Sequence, residues 1–205
     1  MLWLLLVRHG ETAWNVQRRY QGQSDVPLSD VGRKQAEFLA CRLADGKFDA
    51  IYASDLKRAW ETASLIGKKV EAEIIAEPHL REMNFGIIEG LTFAEAQTRY
   101  PEEIAAWLKN YNQAPPDGEP LNAFSARVLS LLDDLQKKHI DKTILLVAYG
   151  GSLSEIIRLV LGLPAERCWA FAMDNASLSE LVLGDDGYPL LKRLNETSHL
   201  ATLEA

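Results

Sequence analysis

Arg8 and His9 stand side by side at the end of an apolar run, Leu2 to Val7, and immediately before Gly10. An arginine offers a planar fork of donors that matches phosphate oxygens, and a neutral imidazole beside it can attack phosphorus. The pair therefore suits phosphoryl transfer through a nucleophilic histidine. Either residue alone has a commonplace explanation: a histidine after a strand is usually hydrogen-bonded into the structure, and an arginine on a helix usually faces solvent. On the residues alone those commonplace readings are the stronger, and only a longer matching string outweighs them. Arg58 follows a second apolar run, Asp49 to Ala53, within the first turn of a helix starting near Asp55, where free backbone N–H groups also attract phosphate. Tyr149-Gly150-Gly151-Ser152 follows a third, Thr143 to Ala148, in the same strand-turn-helix order as Arg8-His9-Gly10.

Such residues need a scaffold that brings several strand ends to one edge. A buried strand that runs into a glycine turn presents its last side chains at the carboxyl edge of a sheet, where open α/β folds bind ligands. Strands are expected at Leu2–Val7, Asp49–Ala53, Glu73–Glu77 and Thr143–Ala148. Helices are expected from Ser29-Asp30 to Asp45-Gly46, from near Asp55, from about Asn122 to Lys138, and from about Leu153 to Leu161. The alternation implies an α/β fold of three layers, a mostly parallel sheet with helices on both faces. Between about 79 and 122 the rhythm changes. Helical stretches at Phe93–Tyr100 and Glu102–Tyr111, then the breaker run Ala114-Pro115-Pro116-Asp117-Gly118, read as a helical lid inserted over the sheet edge. Strands near Trp169–Met173, Ser177–Leu183 and Pro189–Leu194 complete the chain, with Gly184-Asp185-Asp186-Gly187 as a hairpin turn.

Length and composition limit the alternatives. The 205 residues suit one domain, 1–205, with an insertion, and 47% hydrophobic with 25% charged residues is ordinary for a globular protein. A net charge of -7 and a pI near 5.2 argue against a nucleic-acid or anionic-membrane surface, so an anionic substrate must be held by a local basic pocket. The run Leu2–Val7 is too short to span a membrane and lacks the flanks of a secretory signal, which leads us to expect a cytoplasmic protein. Cys41 and Cys168 are expected as buried thiols, Cys168 at a strand start. His79, His139 and His199 are scattered without metal-ligand spacing, and neither a metal nor a cofactor is expected.

Arg8-His9-Gly10-Glu11-Thr12-x-x-Asn15, then Gly22, then Leu28-Ser29-x-x-Gly32-x-x-Gln35-Ala36, resembles the opening of the histidine phosphatase superfamily, also called phosphoglycerate mutase-like. The resemblance continues through Ala53-Ser54-Asp55-Leu56-Lys57-Arg58-Ala59, Leu80-Arg81-Glu82-Met83-Asn84-Phe85-Gly86, Glu89-Gly90 and Val147-Ala148-Tyr149-Gly150-Gly151. It implies a phosphoglycerate mutase-like fold and a phosphomonoester hydrolase in which His9 is phosphorylated and water then cleaves the phosphohistidine. Arg8 and Arg58 would stabilise the transferring group, and Glu82 would be the acid that protonates the leaving alcohol. Asn15, Gln21, Gly22, Tyr149 and Gly150 would complete the substrate-binding set.

One position departs from the pattern. The family carries a second histidine where this chain has Tyr149, and a phenol remains neutral where an imidazole can bear charge. A weaker phosphoryl contact is expected, with turnover reduced. Leu80 to Phe93, with Tyr100-Pro101, Trp107, Pro115-Pro116-x-Gly118-Glu119 and Arg127-Val128, looks most like the α-ribazole phosphatase branch, which acts in cobalamin biosynthesis. A broad-specificity phosphatase and a catalytically impaired phospho-ligand binding protein are the alternatives. The expected partner is a small-molecule phosphomonoester, with no nucleic acid and no membrane; a homodimer stays open.

Between Arg81 and Glu119 stand three basic residues, Arg81, Arg99 and Lys109, against seven acids: Glu82, Glu89, Glu95, Glu102, Glu103, Asp117 and Glu119. That balance disfavours a second anionic group on the substrate. Trp14, Tyr20, Phe85, Trp107 and Tyr111 could instead cover an uncharged ring, or simply form the lid's core.

Overall fold

The computed structural model describes residues 1–184, 187–201 and 203. Its six strands form one sheet in the order β3-β2-β4-β1-β5-β6, with β1 Leu2–Arg8, β2 Ala50–Ala53, β3 Ile74–Ala76, β4 Lys142–Ala148, β5 Leu178–Leu183 and β6 Pro189–Glu196. The first four of these in spatial order are parallel, as expected, and β5 and β6 add an antiparallel edge. β1 and β4 are near-continuous apolar runs because a parallel strand inside a three-layer fold is covered on both faces.

Helices α2 Asp30–Arg42 and α3 Lys57–Val70 pack on each other, as do α6 Leu121–Lys138 and α7 Gly150–Val160. A short helix, α1 Ala13–Val16, precedes α2, and α4 Phe93–Arg99 and α5 Pro101–Lys109 lie in the segment between β3 and α6. The ends of these helices follow local chemistry. Ser29 caps α2 by accepting from Gly32 N–H, while Thr92 and Glu95 form a reciprocal capping box on α4. Apolar residues Leu121, Phe124, Val128, Leu131, Leu132 and Leu135 bury one stripe of α6.

The sheet register brings three strand ends level. Val7 lies beside Val147 and Arg8 beside Ala148, while Ala53 also lies beside Val147. The backbone N–H of His9 donates to Ala148 O at 3.0 Å, and that of Ser54 donates to Val147 O at 3.1 Å. His9, Ser54 and Tyr149 therefore emerge together at the carboxyl edge.

Three expectations need correction. Trp169–Met173 is not a strand: both flanks of β1 are taken by β4 and β5, and the segment's carbonyls serve side chains instead, Cys168 O accepting from Ser154 Oγ and Met173 O from Arg8. Cys168 thus follows a 3-10 turn, Ala165–Arg167, rather than starting a strand, and Cys41 is exposed on α2, not buried. Helix α7 starts at Gly150, three residues before the expected Leu153, with Tyr149 as its N-cap. Asp185 and Asp186 of the expected hairpin turn lie outside the described residues, although the strands on either side do pair antiparallel.

Candidate active site

Arg8, His9, Asn15, Gln21, Gly22, Arg58, Glu82, Tyr149 and Gly150, all singled out from the sequence, line one open cleft of about 560 Å³ at the carboxyl edge of the sheet. Arg19, Tyr20, Phe85 and Gly151 line it too. His9 is nearly enclosed, and its Nδ1 lies 2.6 Å from the carbonyl oxygen of Gly10. A carbonyl can only accept, so Nδ1 carries the proton and Nε2 keeps the lone pair. Burial, followed by the charges of Arg58 and Arg8, holds the imidazole well below the usual histidine range. His9 is therefore held neutral, with the lone pair of Nε2 available.

The Arg58 guanidinium is fully buried and the Arg8 side chain half-buried, and among the described residues neither has an ion-pair partner. Arg8 donates to the carbonyl of Met173, and Arg58 donates to the carbonyls of Ser24 and Gly22, each at 2.7 Å. The Nε of each is buried without a hydrogen-bond partner. Burial lowers the pKa of both, and each is further lowered or supported by charges around the cleft, Arg58 itself acting against Arg8. Like charges held together in a dry site are costly unless an anion joins them.

Helix α1 and the loop after it supply neutral donors. Asn15 Oδ1 accepts from the N–H and hydroxyl of Thr12 and from Asn175 Nδ2, so the group it has left for a ligand is its NH2. Gln21 Oε1 lies 3.0 Å from the same Thr12 Oγ1, whose single proton serves one of the two amide oxygens at a time. Gly22 has φ +50°, and a Cβ there would fall 1.8 Å from Glu89 Oε1. Glu89 needs that space because it accepts from the N–H groups of Gln23, Ser24 and Phe85 and from the Ser24 hydroxyl.

Glu82 is buried, and its two oxygens accept from the N–H groups of Met83 (2.9 Å) and Gly151 (2.8 Å). Burial raises its pKa, against the opposing pull of these N–H groups and of Arg58 and Arg127. A carboxyl biased toward its protonated form faces the same cleft as His9. Gly151 is required for this contact, since a Cβ would sit 2.3 Å from Glu82 Oε1 and 2.7 Å from the Trp169 ring.

Tyr149 reaches the site through its ring. The ring centroid is 5.3 Å from that of His9, and the hydroxyl donates to Ser54 Oγ at 2.8 Å. Burial pushes the phenol up to about 12, so it stays protonated. Of the aromatics expected to cover a substrate ring, Tyr20 and Phe85 line the cleft. Trp107 is buried between Tyr20, Phe85 and Tyr111 as part of the core, and Trp14 packs under Gly90.

Several supporting residues were not picked out from the sequence as such. Arg127 forms a two-pronged ion pair with Glu119 and donates to the carbonyls of His79, Arg81 and Glu82, fixing the loop that carries the acid. Asn175 donates to the carbonyl of His9, and Thr62 Oγ1 links Gly10 N–H to the Arg58 carbonyl. No local spacing announces such contacts, because their partners are far away in the chain. Arg19 was passed over although it lines the cleft; Glu95 pairs with it through both oxygens.

The sequence pattern of the histidine phosphatase superfamily (branch 1) matches residues 4–197. Phosphoserine phosphatase 1 of Hydrogenobacter thermophilus is 35% identical over 201 residues, spanning 98% of this chain and 95% of that protein. The crystal structure of the α-ribazole phosphatase from Shigella flexneri superimposes with a TM-score of 0.88 at 34% identity, covering 95% of this chain and 96% of that one. A mycobacterial glucosyl-3-phosphoglycerate phosphatase in complex with VO3 gives a TM-score of 0.84 at 32% identity, over 94% and 98% of the two chains.

Proposed function

Since the chain belongs to the histidine phosphatase superfamily, branch 1, we propose that it is a phosphomonoester hydrolase working through a phosphohistidine on His9. The observation that carries this reading is the pair of guanidinium groups, fully buried Arg58 and half-buried Arg8, without an ion-pair partner among the described residues and beside an imidazole with its Nε2 free. In the first step the Nε2 lone pair of His9 attacks phosphorus as the bond to the ester oxygen breaks, and Glu82 gives its proton to the departing alkoxide. In the second, Glu82, now ionised, takes a proton from water, which attacks the phosphohistidine and releases inorganic phosphate. Arg8, Arg58 and the amide of Asn15 hold the equatorial oxygens, and Gln21, Gly22 and Gly150 border the group.

For the alcohol we infer an uncharged, ring-bearing group, with α-ribazole 5'-phosphate as the specific substrate. Tyr20 and Phe85, with ring centroids 5.1 Å apart, offer apolar faces at the cleft, and Arg19 is neutralised by Glu95 and so not free for a second anion. The segment from 79 to 122 would act as the lid over this end. A panel of kcat/KM values for α-ribazole 5'-phosphate, O-phosphoserine and 3-phosphoglycerate tests the assignment. A preference of at least about tenfold for the first supports it; a preference for either carboxylate-bearing ester overturns it, and near-equal values indicate a broad-specificity enzyme.

A second reading, a phospho-ligand binder with impaired turnover, is favoured by Tyr149, whose hydroxyl proton is committed to Ser54. Inorganic phosphate binding without steady-state hydrolysis would decide for it.

A further inference from the structure

Arg58 is among the largest fully buried side chains of the described residues, yet the only hydrogen bonds its guanidinium makes among them are to two backbone carbonyls. A carboxylate would stabilise a cation so placed, but it would also neutralise it and compete with a bound phosphate. What lies against the guanidinium instead is the ring of Tyr149, with Arg58 Cζ 4.4 Å from the ring centroid. The face of an aromatic ring attracts a cation electrostatically, most strongly where both are desolvated, and it uses none of the N–H donors. Arg58 can thus be held in place with its charge and free donors kept for a ligand.

The tyrosine is itself fixed on three sides. Its hydroxyl donates to Ser54 Oγ at 2.8 Å, its backbone N–H donates to Ser152 Oγ at 3.1 Å as the N-cap of α7, and its ring packs at 60° against His9. The single phenolic proton already has a buried acceptor. Turning it toward a phosphoryl oxygen would break that bond and leave the fully buried Ser54 hydroxyl with the long contact from Leu56 N–H at 3.5 Å.

We propose that Tyr149 is a positioning residue: its ring, not its hydroxyl, serves the phosphoryl site by holding Arg58 beside His9. What Arg58 is positioned to do rests on the phosphatase reading above; the ring–guanidinium contact does not. The ring links the ends of β1, β2 and β4 to the first residues of α3, so a change in its shape would be felt at Arg58 before anywhere else.

The test compares Tyr149→Phe, which keeps the ring and loses the hydroxyl, with Tyr149→Leu, which loses the ring. Three readouts are used: the Arg58 Nε–H resonance of the ligand-free protein, the affinity for inorganic phosphate, and kcat and KM with p-nitrophenyl phosphate. The resonance, assigned by its loss in Arg58→Lys, should be shifted upfield by the ring in wild type and Tyr149→Phe and should move in Tyr149→Leu. Tyr149→Leu should bind phosphate about tenfold more weakly than wild type or worse, and Tyr149→Phe should lose markedly less phosphate affinity and kcat than Tyr149→Leu. A roughly hundredfold loss of kcat in Tyr149→Phe, as expected on removing a preorganised donor, would overturn the proposal. So would an unmoved Arg58 resonance in Tyr149→Leu. If the leucine variant does not fold, the phenylalanine variant alone decides. Wild-type protein that neither binds phosphate nor hydrolyses the ester would sink the phosphatase reading, and the resonance comparison would still decide the role of the ring.

Discussion

The backbone N–H of Gly151 donates to Glu82 Oε2 at 2.8 Å, joining the first turn of α7 to a carboxyl 69 residues earlier in the chain. The contact links the end of β4 to the segment between β3 and α6, so the carboxyl's position depends on a residue with no side chain. Trp169 closes the other side of the same glycine.

Gly151→Ala should therefore damage the acid and spare the anion site. The new Cβ would overlap Glu82 Oε1 at 2.3 Å and the Trp169 ring at 2.7 Å, forcing the carboxyl away from the cleft. We expect kcat for an alkyl phosphate to fall about 10²-fold, the scale of a lost general acid, with inorganic phosphate affinity changed less than about threefold. Equal losses in both would mean that Gly151 supports the whole site rather than Glu82.

The pH profile follows from two shifts of opposite sign. His9 must be neutral to attack, and because burial and the neighbouring arginines lower its pKa, the acid limb should lie well below the ordinary histidine value. Glu82 must be protonated to release an alcohol, and because burial raises its pKa, the alkaline limb should lie above the ordinary carboxylate value. kcat/KM for an alkyl ester should rise with pH through the first and fall through the second. In Glu82→Gln the alkaline limb should vanish, with a larger loss of rate for alkyl esters than for p-nitrophenyl phosphate, whose leaving group needs no proton. An alkaline limb that survives in Glu82→Gln would assign it to another group.

Stability should be sensitive at α7. Glu155 is fully buried and meets Arg158 through two bonds of 2.6 and 2.7 Å, with Ser125 Oγ donating at 2.5 Å. Arg158→Leu would leave that carboxylate uncompensated, at a cost of about 3–5 kcal/mol. Urea unfolding should show the loss, and Glu155→Leu combined with Arg158→Leu should recover much of it. A single variant as stable as wild type would contradict the account of this pair.

The strand-turn-helix units at Arg8-His9, Arg58 and Tyr149 were legible because apolar runs, glycines and charged residues fall within a few positions of one another. Their convergence on one cleft follows from parallel register, which the β-α alternation implies. What was illegible depended on distant partners. Trp169–Met173 has the composition of a strand, but both places beside β1 were filled by other segments. The early start of α7 was hidden because Gly150 and Gly151 are poor helix formers; at Gly151 the glycine is needed because a Cβ would strike Glu82. Trp107 and Tyr20 look alike in sequence; only packing assigns one to the core and the other to the cleft wall.

The most direct test of the account is a rapid-quench experiment with a phosphomonoester labelled in its phosphoryl group. Wild-type protein should acquire label that is stable in alkali and lost in acid, as a phosphorus–nitrogen bond is. A folded His9→Ala variant should acquire none, with turnover reduced to background. Label that persists in His9→Ala, or turnover equal to wild type, would place the nucleophile elsewhere and contradict the mechanism.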